Sequence, residues 1–314
     1  MKNDDLATRC KVESVNRRGF LRATLTATAA LQFTESALSN QESPPATAAA
    51  DDLIDTHVYL GRWPFARLPG DEPSELVALL RRSKVSQAWA GTFEGLLHKD
   101  IGGANLRLLE TCRRGGGGMV IPLGTGNPML PVWEGEVRRC HEEFRMPGIR
   151  LHPTFHGYSL ADPCFTRLLA IVADRKLIVQ VVAWLEDGRP TFLSRRQQQM
   201  NLEPLKEKLA PLPGLRLIVY GGLTTAADKS FRILASTKNV YWDVSRLQPS
   251  ERLSEILNFV SADRLLFGSN SPLLDFEIAT RNLNDPLLEA EFGLRIRKGT
   301  ARQLIAGESA RAKK

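Results

Sequence analysis

Cysteine is scarce: four in 314 residues, with Cys10 inside the first fifty. Cys112, Cys140 and Cys164 leave an odd number in the body, on segments that read as helices, which excludes a fully paired disulfide framework. No Cys-x-x-Cys pair is present, so a sulfur-ligated zinc site is excluded too, and the three thiols read as small buried hydrophobes. The chain also lacks any block of Lys and Arg interleaved with aromatics. Its net charge of +7 and pI near 9.4 come from scattered basic residues, which gives a nucleic-acid partner no footing. No apolar run is long enough for a stable membrane span, and no internal repeat is found. What is present is 43% hydrophobic residues over 314 positions, enough for one large core in a single domain.

Residues 1–50 stand apart from that domain. Val15-Asn16-Arg17-Arg18-Gly19-Phe20-Leu21-Arg22 matches the twin-arginine export pattern, and a mild Ala/Thr/Leu run follows from Ala23 to Leu31. A Ser/Pro/Ala-rich stretch through Ala50 offers small-residue cleavage sites such as Ala46-Thr47-Ala48. The expectation is a leader over 1–50, export by the twin-arginine route to the periplasm or another extracytoplasmic space, and a folded domain over 51–314.

From Asp52 onward short β-rich runs alternate with longer helical ones. Strands are expected over residues 53–61, 85–90, 119–123, 148–153, 177–184, 215–220, 240–244 and 264–267. Helices are expected over 72–83, 102–114, 132–144 and 163–175, with a helical pair over 285–307. The run 177–184 is nearly continuously apolar, as in a parallel sheet covered on both faces. Eight strands with intervening helices predict an α/β fold, a closed (β/α)₈ TIM barrel.

The stretch Leu53-Ile54-Asp55-Thr56-His57-Val58-Tyr59-Leu60-Gly61 carries the most unusual pattern. Alternation puts Ile54, Thr56 and Val58 on one face and Asp55, His57 and Tyr59 on the other. A carboxylate, an imidazole and a phenol each need a partner in a dry interior, so the strand either lines a site or packs with His57 simply hydrogen-bonded. In a barrel, reacting groups gather at the carboxyl ends of the strands. Arg150 and His152 end the fourth strand, Glu186, Asp187 and Arg189 follow the fifth, Tyr220 ends the sixth, Asp243 the seventh, and Asn270 follows the eighth. Arg62, Arg150 and Arg189 suit the bidentate grip of a small carboxylate, unless each pairs with a local acid such as Asp187 or Asp55.

The opening strand resembles that of the amidohydrolase-related family of metal-dependent hydrolases and decarboxylases, where the pattern is Asp-x-His-x-His. Gly148-Ile149-Arg150-Leu151-His152-Pro153 with His156-Gly157-Tyr158 is similar to the family's fourth-strand motif. Leu265-Leu266-Phe267-Gly268-Ser269-Asn270-Ser271-Pro272 is similar to its eighth, and Lys298-Gly299-Thr300-Ala301-Arg302-Gln303-Leu304 to its closing helix start. The resemblance spans about Asp52 to Leu304. It implies a (β/α)₈ barrel, a divalent metal such as zinc, and a small-molecule substrate. The chain departs from the pattern at three places: Tyr59 replaces a metal-binding histidine, Tyr220 stands where a histidine is common, and Asn270 replaces the acid that takes a proton from metal-bound water. An amide is no general base, and a neutral phenol is a poor zinc ligand. His57, His152 and Glu186 would still make a His₂Glu metal set, with His156 as an alternative ligand. The resemblance thus implies catalytic roles for His57, His152, Asn270 and Asp55. Arg150, Arg189, Tyr59, Tyr220 and Arg62 would bind a carboxylate-bearing substrate. The alternative is a barrel that has lost metal and chemistry and binds a ligand or partner outside the cytoplasm. Oligomeric state is not readable from the chain.

Overall fold

The computed structural model describes residues 52–185 and 200–309. The leader with Arg17 and Arg18, and the rim residues Glu186, Asp187 and Arg189, lie outside the described residues. In chain order the strands are β1 (Leu53–Leu60), β2 (Val85–Thr92), β3 (Val120–Pro122), β4 (Gly124–Thr125), β5 (Gly148–Leu151), β6 (Ile178–Val182), β7 (Arg216–Tyr220), β8 (Val240–Asp243) and β9 (Leu265–Leu266). Every pairing is parallel between chain neighbours. Helices fill most of the connections, so the fold is the expected parallel α/β type.

Hydrogen bonding divides the strands into a three-stranded sheet, β1-β2-β3, and a six-stranded sheet, β4 to β9, rather than the single continuous ring expected. The division falls within the third expected strand. Pairing with β2 runs through Pro122, and pairing with β5 begins at Gly124. Leu123 bridges the gap, its N–H donating to the Ala90 carbonyl at 2.8 Å. At the other edge of β1, Thr56 N–H donates to Phe267 O at 2.9 Å, Asn270 N–H to His57 O at 2.7 Å, and Tyr59 N–H to Ser271 O at 2.9 Å. The chain following β9 therefore runs alongside β1 (Val58 and Ser271 form a parallel bridge), and this contact assembles the candidate site.

Period-two alternation sorts the side chains into layers. Leu217 and Val219 of β7, and Val179 and Val181 of β6, face outward into the large core beneath the helices. Ile178, Ile218, Trp89, Leu123, Ile54 and Leu266 face inward and form an apolar floor, closed by Ala301 and Leu304 of the helix Thr300–Ser309. The helix Pro73–Arg82 shows how the outer layer is held. Proline opens it, Glu75 complements its amino end and Arg81 and Arg82 its carboxyl end, while Leu76, Val77 and Leu80 are buried. Burying each such side chain contributes roughly 1.5–3 kcal/mol.

The helices Ile101–Gly115, Trp133–Glu142 and Pro163–Asp174 fall within a residue or two of expectation. The last strand is shorter than expected, and the 285–307 pair resolves into Ala290–Leu294, a π-helical turn Arg295–Gly299 and Thr300–Ser309. Cys112 and Cys140 are buried free thiols on helices; Cys164 is half-buried, not fully buried as expected. Among the described residues, no helix is long and apolar enough to cross a membrane.

Candidate functional site

The strict alternation expected along β1 does not hold. Its register against β2 slips between Asp55, opposite Ala88, and Val58, opposite Ala90, so one extra residue sits on β1. Such a bulge re-aims the side chains that follow it. Ile54 accordingly lies in the floor, while Tyr59, five residues on, lies with Trp63, Phe93 and Val182 at the upper end of the same interior. Tyr59 is wholly buried, and its ring stacks on Phe93 at 4.7 Å between centroids and 6° between planes.

The Tyr59 hydroxyl bridges two histidines. His152 Nε2 lies 2.8 Å from it and His57 Nε2 3.4 Å. The His57 ring stacks on Tyr220 at 4.1 Å. Gly268 makes that stack possible: a Cβ there would stand 2.6 Å from His57 Cβ and 2.8 Å from Tyr220 Cε1. Burial pushes both imidazoles well below their ordinary range, with the nearby Arg150 charge adding to the effect, and pushes the Tyr59 phenol up. All three groups are therefore neutral at neutral pH. Asp55 Oδ1 accepts from the N–H groups of His57 (3.1 Å) and Ser269 (2.9 Å), yet burial still raises its carboxyl to about 6. Asp243 is raised by burial to about 7 although Ser245 donates to both its oxygens.

Below this trio lies a second network, centred on Arg150. Its guanidinium donates from Nε to Gln180 Oε1 (2.7 Å), from Nη1 to Val58 O (2.7 Å) and from Nη2 to Trp89 O (3.0 Å). It also lies 4.7 Å from the centre of the Tyr59 ring, in a cation–π contact. Gln180 in turn donates to Thr56 O and the Tyr220 hydroxyl, and Tyr220 donates to Thr56 O, each at 3.0 Å. The chain carries glycine at position 91, opposite Tyr59, because a Cβ there would come 2.6 Å from Arg150 Nη1.

His57, Tyr59, His152, Tyr220, Asn270, Asp55 and Arg150 thus meet at one end of the strands. Several are placed differently from expectation. Arg150 is fully buried and its donors are held by protein acceptors, so it is a strut of the interior rather than a clamp open to substrate. Tyr220 is likewise committed inward. Arg62 sits on the surface, two residues beyond the end of β1, where it pairs with Glu72 at 2.9 Å. Asn270, at a positive φ of 59°, donates from Nδ2 to Leu185 O at 2.8 Å and so ties the chain after β9 to the end of β6. His156, the alternative ligand, is held by its Nε2 against Gly95 O at 2.9 Å. Sequence reasoning missed Gln180, Gly91 and Gly268. One polar residue interrupting the apolar 177–184 run was the available signal for the first.

Four buried polar atoms of this cluster have no hydrogen-bond partner: Asp55 Oδ2, His57 Nδ1, His152 Nδ1 and Asn270 Oδ1. Leaving such an atom unpaired in a dry interior costs about 1–3 kcal/mol. A cavity of about 270 Å³ opens at the strand ends, lined by Ala183, Trp184, Gly221, Thr224 and Arg246 among others and by none of His57, Tyr59, His152 or Asn270. Gly221 directly follows Tyr220, and Trp184 directly precedes Leu185, which Asn270 holds.

The amidohydrolase family profile matches residues 54–304, and the chain belongs to that family. No curated protein matches. Solved structures share the fold at low identity. A TIM-barrel protein from Bordetella bronchiseptica is 14% identical with a TM-score of 0.61, covering 82% of this chain and 99% of its own. A dihydroxybenzoic acid decarboxylase from Polaromonas sp., solved with manganese and the inhibitor 2-nitroresorcinol, is 12% identical with a TM-score of 0.61, covering 82% and 97%. A 5-carboxyvanillate decarboxylase from Sphingomonas paucimobilis is 13% identical with a TM-score of 0.60, covering 82% and 99%.

Members of the family bind a divalent metal, as the manganese in the Polaromonas structure illustrates. The described residues of this chain do not fit one. Among the described residues no three His, Cys, Asp or Glu side chains come together as a ligand set. The two Nε2 atoms that would ligate are both turned to a phenol oxygen, and the position of the usual acid holds an amide. Of the expected set His57, His152 and Glu186, the last lies outside the described residues.

Proposed function

We propose that the chain acts as a hydrolase or decarboxylase on a small, carboxylate-bearing molecule at the carboxyl ends of its strands. The observation that carries the reading is the Tyr59 hydroxyl held between two neutral imidazoles in a dry site, with unpaired polar atoms around it. A neutral His152 can accept a proton at Nε2, and the Tyr59 hydroxyl, bonded to both rings, can pass one between them. Decarboxylation needs a proton delivered to the carbon that loses CO₂; hydrolysis needs one taken from water. The cavity at the strand ends, about 270 Å³, suits a compact molecule. The decarboxylase relatives support a compact acid as the substrate class.

The test is a panel of small aromatic and aliphatic carboxylic acids, assayed for CO₂ release and for amide or ester cleavage. A substrate should be turned over, and His152→Ala should lower kcat/KM by about 100-fold or more, the lower end of what a proton-transfer group contributes. Undiminished turnover by that variant would refute the relay. A second reading, a barrel that binds its ligand without transforming it, is favoured by the full burial of His57, Tyr59 and His152. Calorimetric binding of a carboxylate with no turnover across the panel would select it. We further propose that residues 1–50 direct export by the twin-arginine route, on the strength of Arg17-Arg18, Phe20 and the apolar run.

A further inference from the structure

We infer that Tyr59, backed by Arg150, leaves no place for a metal ion between His57 and His152, so that this chain works with none bound. The space is taken first. A metal ligated by His57 and His152 requires both Nε2 atoms within about 2.0–2.2 Å of one point, and the point between them is held by the Tyr59 oxygen, at 3.4 and 2.8 Å. Nor can the phenol swing aside. Its ring is wedged between Phe93, stacked at 4.7 Å, and the Arg150 guanidinium, also at 4.7 Å, and no part of it reaches solvent.

The charge is supplied second. Arg150 brings a permanent cation into the dry interior, fixed by two backbone carbonyls and Gln180. A divalent ion beside it would meet like charge at low dielectric, where such repulsion is strongest. Compensation is thin third. Asn270 contributes a neutral amide, and of the Asp55 carboxyl only Oδ2 is left unpaired, its Oδ1 accepting from two backbone N–H groups. Finally, the arrangement is built into the strands. Gly91 lies opposite Tyr59, and a side chain there would collide with the guanidinium. The exchange of histidine for tyrosine on β1 and the glycine on β2 are two parts of one device.

The inference concerns metal content, which is read without a substrate, and so stands or falls apart from the proposed activity. The experiment uses full-length untagged protein, incubated with zinc or manganese, desalted and analysed by plasma mass spectrometry, with melting followed in parallel. Wild type should hold well under about 0.1 equivalent of metal, and neither ion nor EDTA should move its Tm, because a ligand that does not bind the native state does not stabilise it. Tyr59→His combined with Asn270→Asp, which restores both a ligand and a compensating charge, should gain metal, to about one equivalent, with a Tm that rises with added ion; failure of the folded double variant to take up metal would overturn the inference. Tyr59→Phe keeps the ring in place and should stay metal-free, which guards against the histidine variant failing to fold. About one equivalent retained by wild type and lost in His57→Ala would overturn the inference, whether or not Glu186 completes the set. Metal uptake by Tyr59→Phe would overturn it as well, since the wedge of the ring would then not be what excludes the ion.

Discussion

Replacing Arg150 by methionine removes a buried cation while nearly preserving the length of its stem. Three acceptors then lose their donor: Gln180 Oε1, Val58 O and Trp89 O, bonded at 2.7, 2.7 and 3.0 Å. None lies where water reaches easily, because Arg150 and Gln180 have no exposed surface. Each orphaned acceptor costs about 1–3 kcal/mol. Against this stands the relief of no longer burying a charge, worth several kcal/mol per ion. Because the three orphaned acceptors are neutral, no uncompensated charge is left behind, and we expect Arg150→Met to destabilise by about 1–3 kcal/mol net. For a domain of this size that lowers Tm by roughly 5 °C. Arg150→Lys keeps the charge, but one ammonium cannot reach three acceptors spread over three strands, so it should fall between wild type and methionine. Urea denaturation followed by tryptophan fluorescence measures all three. A methionine variant as stable as wild type, or a lysine variant less stable than the methionine one, would refute the claim that the guanidinium is a structural strut.

Two further outcomes are expected. Asp243 is raised to about 7 by burial, above its ordinary 3.8, so the native state holds a proton that the unfolded chain releases between those values. Its contribution is therefore largest below pH 3.8 and is lost as pH rises toward 7, by up to about 1.4 kcal/mol per pH unit. Asp243→Asn should be more damaging, relative to wild type, at pH 5 than at pH 7.5; denaturation curves at the two pH values decide it, and a penalty independent of pH contradicts the assignment. For the leader, changing Arg17 and Arg18 together to lysine should hold the full-length protein in the cytoplasm, as read by fractionation and immunoblotting. Normal export and trimming of that double variant would rule out the twin-arginine assignment.

Local signals determined the order of elements. Alternating apolar runs, Pro73 and Pro163 at helix starts, and apolar stripes at helical spacing are properties of short windows, which the chain expresses wherever it folds. The parallel α/β class, the family motifs on β1 and after β9, and the gathering of His57, His152, Tyr220 and Asn270 at one end of the strands were all legible there. Three matters were decided by contacts between residues far apart in the chain. The bulge after Asp55 arises from pairing with β2 on one side and with residues 267–271 on the other, and it broke an alternation the sequence alone would extend. The division at Pro122 depends on which neighbour each half of the third strand finds. Arg150 reads as a rim arginine by position, yet it is turned inward because Gly91, Gln180, Val58 and Trp89, from three other strands, leave a space lined by acceptors that fits a guanidinium. No window of sequence contains that space, since a buried charge is tolerated only where its partners happen to converge.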